Sequence, residues 1–273
     1  KTNFLMKKLF IIATFISLIS CKESSDTSSK IITGDKEITL EEIWNGTFSP
    51  KRMNALNSMN GDFYSLLNSD ENGNTTVDKY SYETLEKVET IVNSKDLKEL
   101  KSFESYSFNN DETKLILGTN FNKIYRRSYT GTFYAYDIAS KKLSLIGEDI
   151  QEPIFSPDNQ KVAFAKNNNL FIKDFSKNKL TQITKDGKKN SIINGITDWV
   201  YEEEFGFVRA FEWSKDSKYL AFLRFDETNV PTFSMDIVGK ELYPNQQVFK
   251  YPKAGEENAK VTLHTYNVAN SKT

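Results

Sequence analysis

Cysteine and histidine are almost missing from this 273-residue chain, which has one of each, Cys21 and His264. One cysteine excludes an intrachain disulfide framework, and a Cys/His zinc site cannot be assembled from the pair. A Ser-His-Asp triad would have to recruit His264, the single imidazole. No G-x-S-x-G nucleophile elbow occurs, and no glycine-rich phosphate loop does either. Nor is there an excess of either charge. Lys and Arg number 36 against 37 Asp and Glu, for a formal net charge of -1, so nucleic-acid binding is not expected. Mean hydropathy of -0.54 excludes a polytopic membrane protein. With 38% hydrophobic and 27% charged residues the chain has the balance of a folded protein, and no cofactor is implied.

The one apolar run is short and N-terminal. Lys7 and Lys8 precede the eleven residues Leu9 to Ile19. A bilayer span needs about 20 residues, but this length suits the core of a signal peptide. Leu18-Ile19-Ser20-Cys21 resembles a bacterial lipobox, in which the cysteine becomes the first mature residue and carries lipid. The alternative is an ordinary secretory signal that happens to contain a cysteine. Met6 reads as the translation start. The Ser-rich stretch from Lys22 to Lys30 has the composition of a tether. Expected are a signal peptide with lipobox over 1–20, a tether over 21–37 and a folded domain over 38–273. An exported, periplasmic or cell-surface lipoprotein follows, held to the membrane by lipid at Cys21.

Beyond residue 38 the pattern is all-β. Candidate strands rich in aromatic and β-branched residues, such as Thr132–Ile138, Lys161–Ala165 and Tyr219–Leu223, are separated by Asn, Asp, Ser and Gly. They also recur. Phe155-Ser156-Pro157-Asp158 leading into Lys161–Phe164 matches Trp213-Ser214-Lys215-Asp216 leading into Tyr219–Phe222. Weaker copies begin at Tyr106-Ser107 and Asn57-Ser58. The four serines, at 58, 107, 156 and 214, are 49, 49 and 58 residues apart. A period near fifty with four strands per unit is the signature of β-propeller blades, here about four of them. A sandwich with similar hairpins is the alternative.

Two turn-like segments carry charge. Asp70-Glu71-Asn72-Gly73-Asn74 offers acidic ligands, but its glycine comes too early for a calcium loop, and Asn72-Gly73 reads as a hairpin turn. Lys185-Asp186-Gly187-Lys188-Lys189 reads as a turn with a basic flank. No metal site is expected.

The sharpest local feature is Asp198-Trp199-Val200-Tyr201-Glu202-Glu203-Glu204-Phe205, three consecutive carboxylates among aromatic rings. Thr197 or Asp198 would cap a short helix there. Alone, such a run usually reads as a solvated helix face. The stretch Gly195–Glu204, however, resembles the double-glutamate motif of the dipeptidyl peptidase IV family of serine exopeptidases. The likeness continues through Trp213-Ser214, Phe225–Pro231 and Tyr251–Gly255. Upstream, Tyr125–Thr130 followed by Tyr136-Asp137 is similar to the segment with that family's substrate-binding arginine.

The resemblance implies the N-terminal part of an eight-bladed propeller, with the α/β-hydrolase domain absent from these residues. It implies that Glu203 and Glu204 hold the free N-terminal ammonium of a peptide substrate and that Arg126 donates to its carbonyl. Arg127 next door leaves that second choice open. Glu202 is assigned to supporting the fold, and His264, lying in a strand pattern, to structure. The full-length protein is then a serine-type dipeptidyl aminopeptidase removing Xaa-Pro or Xaa-Ala dipeptides, or a prolyl tripeptidyl peptidase of the same family. The present residues alone should be inactive. Members of the family are often dimers, through surfaces expected largely outside this chain. A reading of a different class is a non-catalytic propeller lipoprotein that binds peptides or proteins.

Overall fold

Branched and aromatic side chains in short alternating runs favour sheets, because they pack well on a pleated surface. The computed structural model describes residues 37–50 and 54–273. Cys21, the leader and all of the tether before Glu37 therefore lie outside the described residues. The chain divides into two units, one up to Met53 and one from Asn54 to Thr273. In the first, helix α1 (Leu40–Trp44) opens on a capping box: the Glu42 N–H donates to Thr39 Oγ1, and the Thr39 N–H to Glu42. The strands begin only at Leu56, later than residue 38, because the Thr39-to-Glu42 start signal favours a helix.

The second unit is a succession of antiparallel meanders. Strands β1 (Leu56–Met59), β2 (Phe63–Ser69), β3 (Thr75–Ser81) and β4 (Lys87–Asn93) form the first. Strands β5 (Ser105–Phe108), β6 (Lys114–Lys123), β7 (Tyr129–Asp137) and β8 (Lys142–Phe155) follow. Strand β8 continues into the third meander with β9 (Lys161–Lys166), β10 (Asn169–Asp174) and β11 (Lys179–Gln182). Its first half pairs with β7 and its last residues with β9. The bend between them falls at Asp149 and Glu152, both at positive φ.

The fourth meander is built around β14 (Tyr219–Asp226), with β17 (Lys260–Asn267) on one edge. Two short strands, β12 (Ile192–Asn194) and β13 (Phe211–Trp213), lie end to end along its other edge. The hairpin β15 (Thr232–Ile237) and β16 (Asn245–Lys250) is inserted between β14 and β17 as a separate two-stranded sheet.

Alternate side chains of one strand enter different cores. Leu115 and Leu117 of β6 pack with Val77, Val92 and Phe103, whereas Ile116 between them packs with Phe133, Val162 and Phe164. Ala163 and Ala165 of β9 then turn to a third core with Leu170, Trp213 and Phe225. The second and third meanders are each covered on both faces by their sequence neighbours. That is the stacking of propeller blades, and it explains why β6 and β9 read as continuous apolar runs.

The repeating turn has a physical basis. The Ser156 N–H donates to Lys161 O at 2.8 Å, and the Ser214 N–H to Tyr219 O at 2.9 Å. Each hydroxyl also donates to the aspartate two residues on, Asp158 or Asp216. In the second blade this place belongs to Asn109, whose N–H donates to Lys114 O at 3.1 Å and whose amide reaches Asp111. Ser107 and Ser58 lie inside β5 and β1, so the two weaker copies are out of register with the strong pair. Among the described residues, no helix is long and apolar enough to cross a membrane.

Candidate functional site

The acidic triplet projects from a break in a strand. Strands β12 and β13 form one interrupted edge of the fourth blade, and residues 195–210 leave it and return. Gly195 and Ala210 pinch this excursion shut. The Gly195 N–H donates to Leu223 O, the Leu223 N–H to Ala210 O and the Ala210 N–H to Gly195 O, each at 2.9 Å. Gly195 has φ +75, and a Cβ there would lie 2.4 Å from Cδ2 of the buried Leu170. Only glycine suits that corner.

Within the excursion lies helix α2 (Trp199–Phe205). Asp198, not Thr197, caps it, accepting the Tyr201 N–H at 2.9 Å, and Gly206 closes it at φ +76. Trp, Val, Tyr and Phe are modest helix formers, so packing must hold this short helix in place. Tyr201 meets Phe225 edge-on at 5.0 Å, and Trp199 meets Tyr251 at 4.8 Å.

The three glutamates diverge around the helix. Glu202 points inward and is 1% exposed. The Glu203 side chain is 12% exposed, and Glu204 is exposed with no ion pair or hydrogen bond to a described residue. The second blade supplies the facing group. The tip of the β6–β7 hairpin holds Arg126, whose Nε lies 2.8 Å from Glu203 Oε2 while the side chain stays 73% exposed. Arg127 takes a different direction, with its guanidinium near Gly206. Its backbone N–H donates to Glu202 Oε1 at 2.6 Å, and the Ser128 N–H donates to the same oxygen at 2.9 Å.

Behind α2 is a cavity of about 410 Å³, lined by Tyr125, Gln151, Asp198, Trp199, Glu202 and Glu227 among others. Burial, reinforced by the neighbouring Asp198 charge and opposed by Lys250, pushes the Glu227 carboxyl up to about 7. Burial also raises Asp198, against the pull of the Tyr201 N–H it accepts. Tyr125 is pushed up to about 12 by burial and then by the charges of Glu227, Glu202 and Asp198. No local sequence signal singles out Glu227. It stands inside the Phe225–Pro231 motif, yet its burial depends on a fold contact, its N–H donating to Ser191 O, that no local pattern announces.

The remaining candidates are structural in their contacts. His264 stacks on Phe222 at 5.4 Å and shares a 2.8 Å hydrogen bond with Thr262. Asp70 accepts the N–H groups of Asn72 and Asn74 in the β2–β3 turn, and Lys95 and Asn74 hold its carboxyl well below the usual range. Asp186 is paired with Arg224 at 2.9 Å. No group of three or more metal-ligating side chains is placed to hold an ion among the described residues.

Comparison with known proteins agrees with this architecture. Residues 109–273 match the family described as the dipeptidyl peptidase IV (DPP IV) N-terminal region. Human prolyl endopeptidase FAP is 34% identical over 233 residues, covering 84% of this chain and 30% of that protein. A probable dipeptidyl-aminopeptidase B of Talaromyces marneffei is 30% identical over 289 residues, covering 93% of this chain and 32% of its own. The crystal structure of Porphyromonas gingivalis dipeptidyl peptidase 4 superposes with a TM-score of 0.79 at 38% identity, over 88% of this chain and 35% of that one. The chain thus spans about a third of the length of these relatives.

Proposed function

The chain belongs to the dipeptidyl peptidase IV N-terminal-region family, and on that premise we propose that it is the substrate-recognising propeller part of a serine-type dipeptidyl aminopeptidase. The full-length protein would remove dipeptides from free N-termini, with proline or alanine beside the cut. The observation that carries this reading is the 2.8 Å approach of Arg126 to Glu203, which brings a cation from one blade onto the acidic helix of another.

The chemistry suits the end of a peptide. An α-amino group has a pKa near 8 and is mostly charged at neutral pH. It donates three hydrogen bonds, and Glu203 and Glu204 accept without competing donors of their own. Glu204 has no ion-pair partner among the described residues, so an incoming ammonium would meet an unneutralised carboxylate. Arg126 would turn its planar fork to the first peptide carbonyl. A clamp on the terminus measures the substrate from its end. The distance from the clamp to the nucleophile would then decide between dipeptidyl and tripeptidyl cleavage.

The attacking serine and its partners would belong to the remainder of the full-length protein, so these 273 residues alone would bind peptide without hydrolysing it. The protein would be exported and held to the membrane by lipid at Cys21.

The test is Glu203→Gln and Glu204→Gln in the full-length protein, assayed on a free-amine aminoacyl-proline anilide. Removing one partner of a desolvated charge pair typically costs 2–5 kcal/mol, so kcat/KM should fall by roughly 30-fold or more for each. Unchanged kcat/KM in both variants overturns the clamp.

A further inference from the structure

We infer that Glu202 is a positioning residue, which sets Arg126 against Glu203 by fastening the arginine loop of the second blade to the glutamate helix of the fourth. The inference rests on the clamp reading above and assigns to the third glutamate a part in the same site.

Three observations converge on it. Glu202 is 1% exposed, among the most buried polar side chains in the described residues. Its Oε1 accepts two backbone N–H groups from consecutive residues, Arg127 at 2.6 Å and Ser128 at 2.9 Å. It has no lysine or arginine side chain within ion-pairing distance among the described residues, so these two bonds are its visible compensation for leaving water. A fold with no use for this contact would do better with an apolar side chain here.

The position of the two bonds explains the use. The Arg127 N–H belongs to the same rigid peptide plane as the Arg126 carbonyl. Fixing it fixes the Arg126 backbone from which the guanidinium extends. On the other side, Glu202 and Glu203 are consecutive on α2. The helix therefore grips the loop with one glutamate and meets its arginine with the next. The loop has two hydrogen bonds of its own at this turn, the Tyr125 N–H to Ser128 Oγ at 3.2 Å and the Ile124 N–H to Ser128 O at 2.9 Å, which closes the hairpin. None of these crosses to the fourth blade.

A carboxylate suits the task better than an amide. Both its oxygens only accept, so the two N–H groups meet an acceptor in either orientation, whereas a glutamine can present its NH₂ instead. Misplacement of a binding group by about 1 Å costs on the order of 100-fold in rate, which sets the scale of the effect.

The experiment is a double-mutant cycle in the full-length protein, on a free-amine aminoacyl-proline anilide. Glu202→Ala is expected to lower kcat/KM by about 10- to 100-fold, chiefly through KM, because Arg126 would then be unplaced. Glu202→Gln, which keeps an acceptor oxygen, should recover most of that loss. In an Arg126→Ala background, Glu202→Ala should add less than about threefold, since the group it positions is already gone. A purely structural role predicts the opposite, a loss equally large in both backgrounds, and that result overturns the inference. So does Glu202→Gln as impaired as Glu202→Ala. Should Glu202→Ala not fold, Glu202→Asp keeps the charge, withdraws the acceptor by one methylene and replaces it in the cycle with the same expected non-additivity. Glu203→Gln run in parallel separates the two ideas. Full activity in that variant and in Glu204→Gln sinks the clamp itself, whereas loss of activity in them beside an unaffected Glu202→Ala sinks the positioning role alone.

Discussion

Arg126 and Glu203 stand 2.8 Å apart although they come from different blades, and the arginine of the pair is 73% exposed. Exposed ion pairs contribute about 0–1 kcal/mol to stability, so this one is poorly explained as a device for holding the blades together. A binding role predicts a different pattern. Arg126→Ala in the full-length protein should lower kcat/KM on free-amine dipeptide substrates by roughly 10- to 100-fold, while Tm moves by no more than about 2 °C. Arg126→Lys should recover only part of the loss, because an ammonium has no planar fork to present. A large fall in Tm with unchanged kcat/KM would make the pair structural.

The corner at Gly195 offers a stability test that separates two costs. A Cβ at Gly195 combines positive φ with a 2.4 Å approach to buried Leu170, whereas Gly73, at φ +78, has nothing within 4 Å. The left-handed conformation costs a non-glycine residue about 1–2 kcal/mol, and overpacking adds about 1–3 kcal/mol. Gly73→Ala should therefore lose about 1 kcal/mol and Gly195→Ala roughly 2–5 kcal/mol in urea titrations of the full-length protein. Equal losses would mean that Leu170 yields freely and that the excursion is not pinned at this point.

The anchor proposal is tested by phase partitioning. Cys21 lies outside the described residues, and the proposal rests on the lipobox-like Leu18-Ile19-Ser20-Cys21. Expressed with its leader in a bacterium that processes lipoproteins, the protein should enter the detergent phase, and Cys21→Ser should shift it to the aqueous phase. Acyl chains contribute about 0.8 kcal/mol per buried CH₂, which makes the contrast large. Aqueous partitioning of both forms removes the lipid anchor.

How much of this was legible beforehand depends on whether local pattern or tertiary contact decided the outcome. The blades were readable from turn residues between apolar runs and from the repeat near fifty. Runs such as Leu115-Ile116-Leu117 and Val162-Ala163-Phe164-Ala165 are continuous because their side chains divide between successive cores. The helix at the triplet was readable from its cap candidates Thr197 and Asp198, of which Asp198 takes the role. The repeat register was readable where Ser and Asp mark the turn, and it slipped in the second blade because Asn109 performs the same turn with a different side chain. The orientation of the triplet was not readable from local pattern, and only the family resemblance assigned Glu202 to the fold and Glu203 and Glu204 to substrate. Consecutive helical residues point about 100° apart, and which one faces inward is decided by the Arg127 and Ser128 backbone, distant in sequence. Nor was the split of β12 from β13, since nothing between Asn194 and Phe211 indicates that both lie on one edge of β14.

Glu227 makes stability fall with rising pH, and the sign follows from its burial. Its carboxyl moves from 4.5 to about 7 in the folded protein, chiefly through desolvation and then through the nearby Asp198 charge. Between those values the native state holds a proton that the unfolded chain has released. The unfolded state thus binds fewer protons, and unfolding free energy drops as pH rises through this window. At about 1.4 kcal/mol per unit, the full effect reaches up to about 3 kcal/mol before solvent screening. Asp198 is raised for the same reason and adds a slope of the same sign, whereas carboxyls held low, such as Asp78 and Asp158, act in the opposite sense at lower pH. The informative quantity is therefore the difference between variant and parent. Glu227→Gln cannot ionise, so it should match the parent near pH 4.5 and exceed it near pH 8, read as denaturant midpoints at both values. A variant less stable than the parent at pH 8 would mean that the ionised carboxylate has a partner in the folded protein and that the cavity behind α2 stabilises charge there.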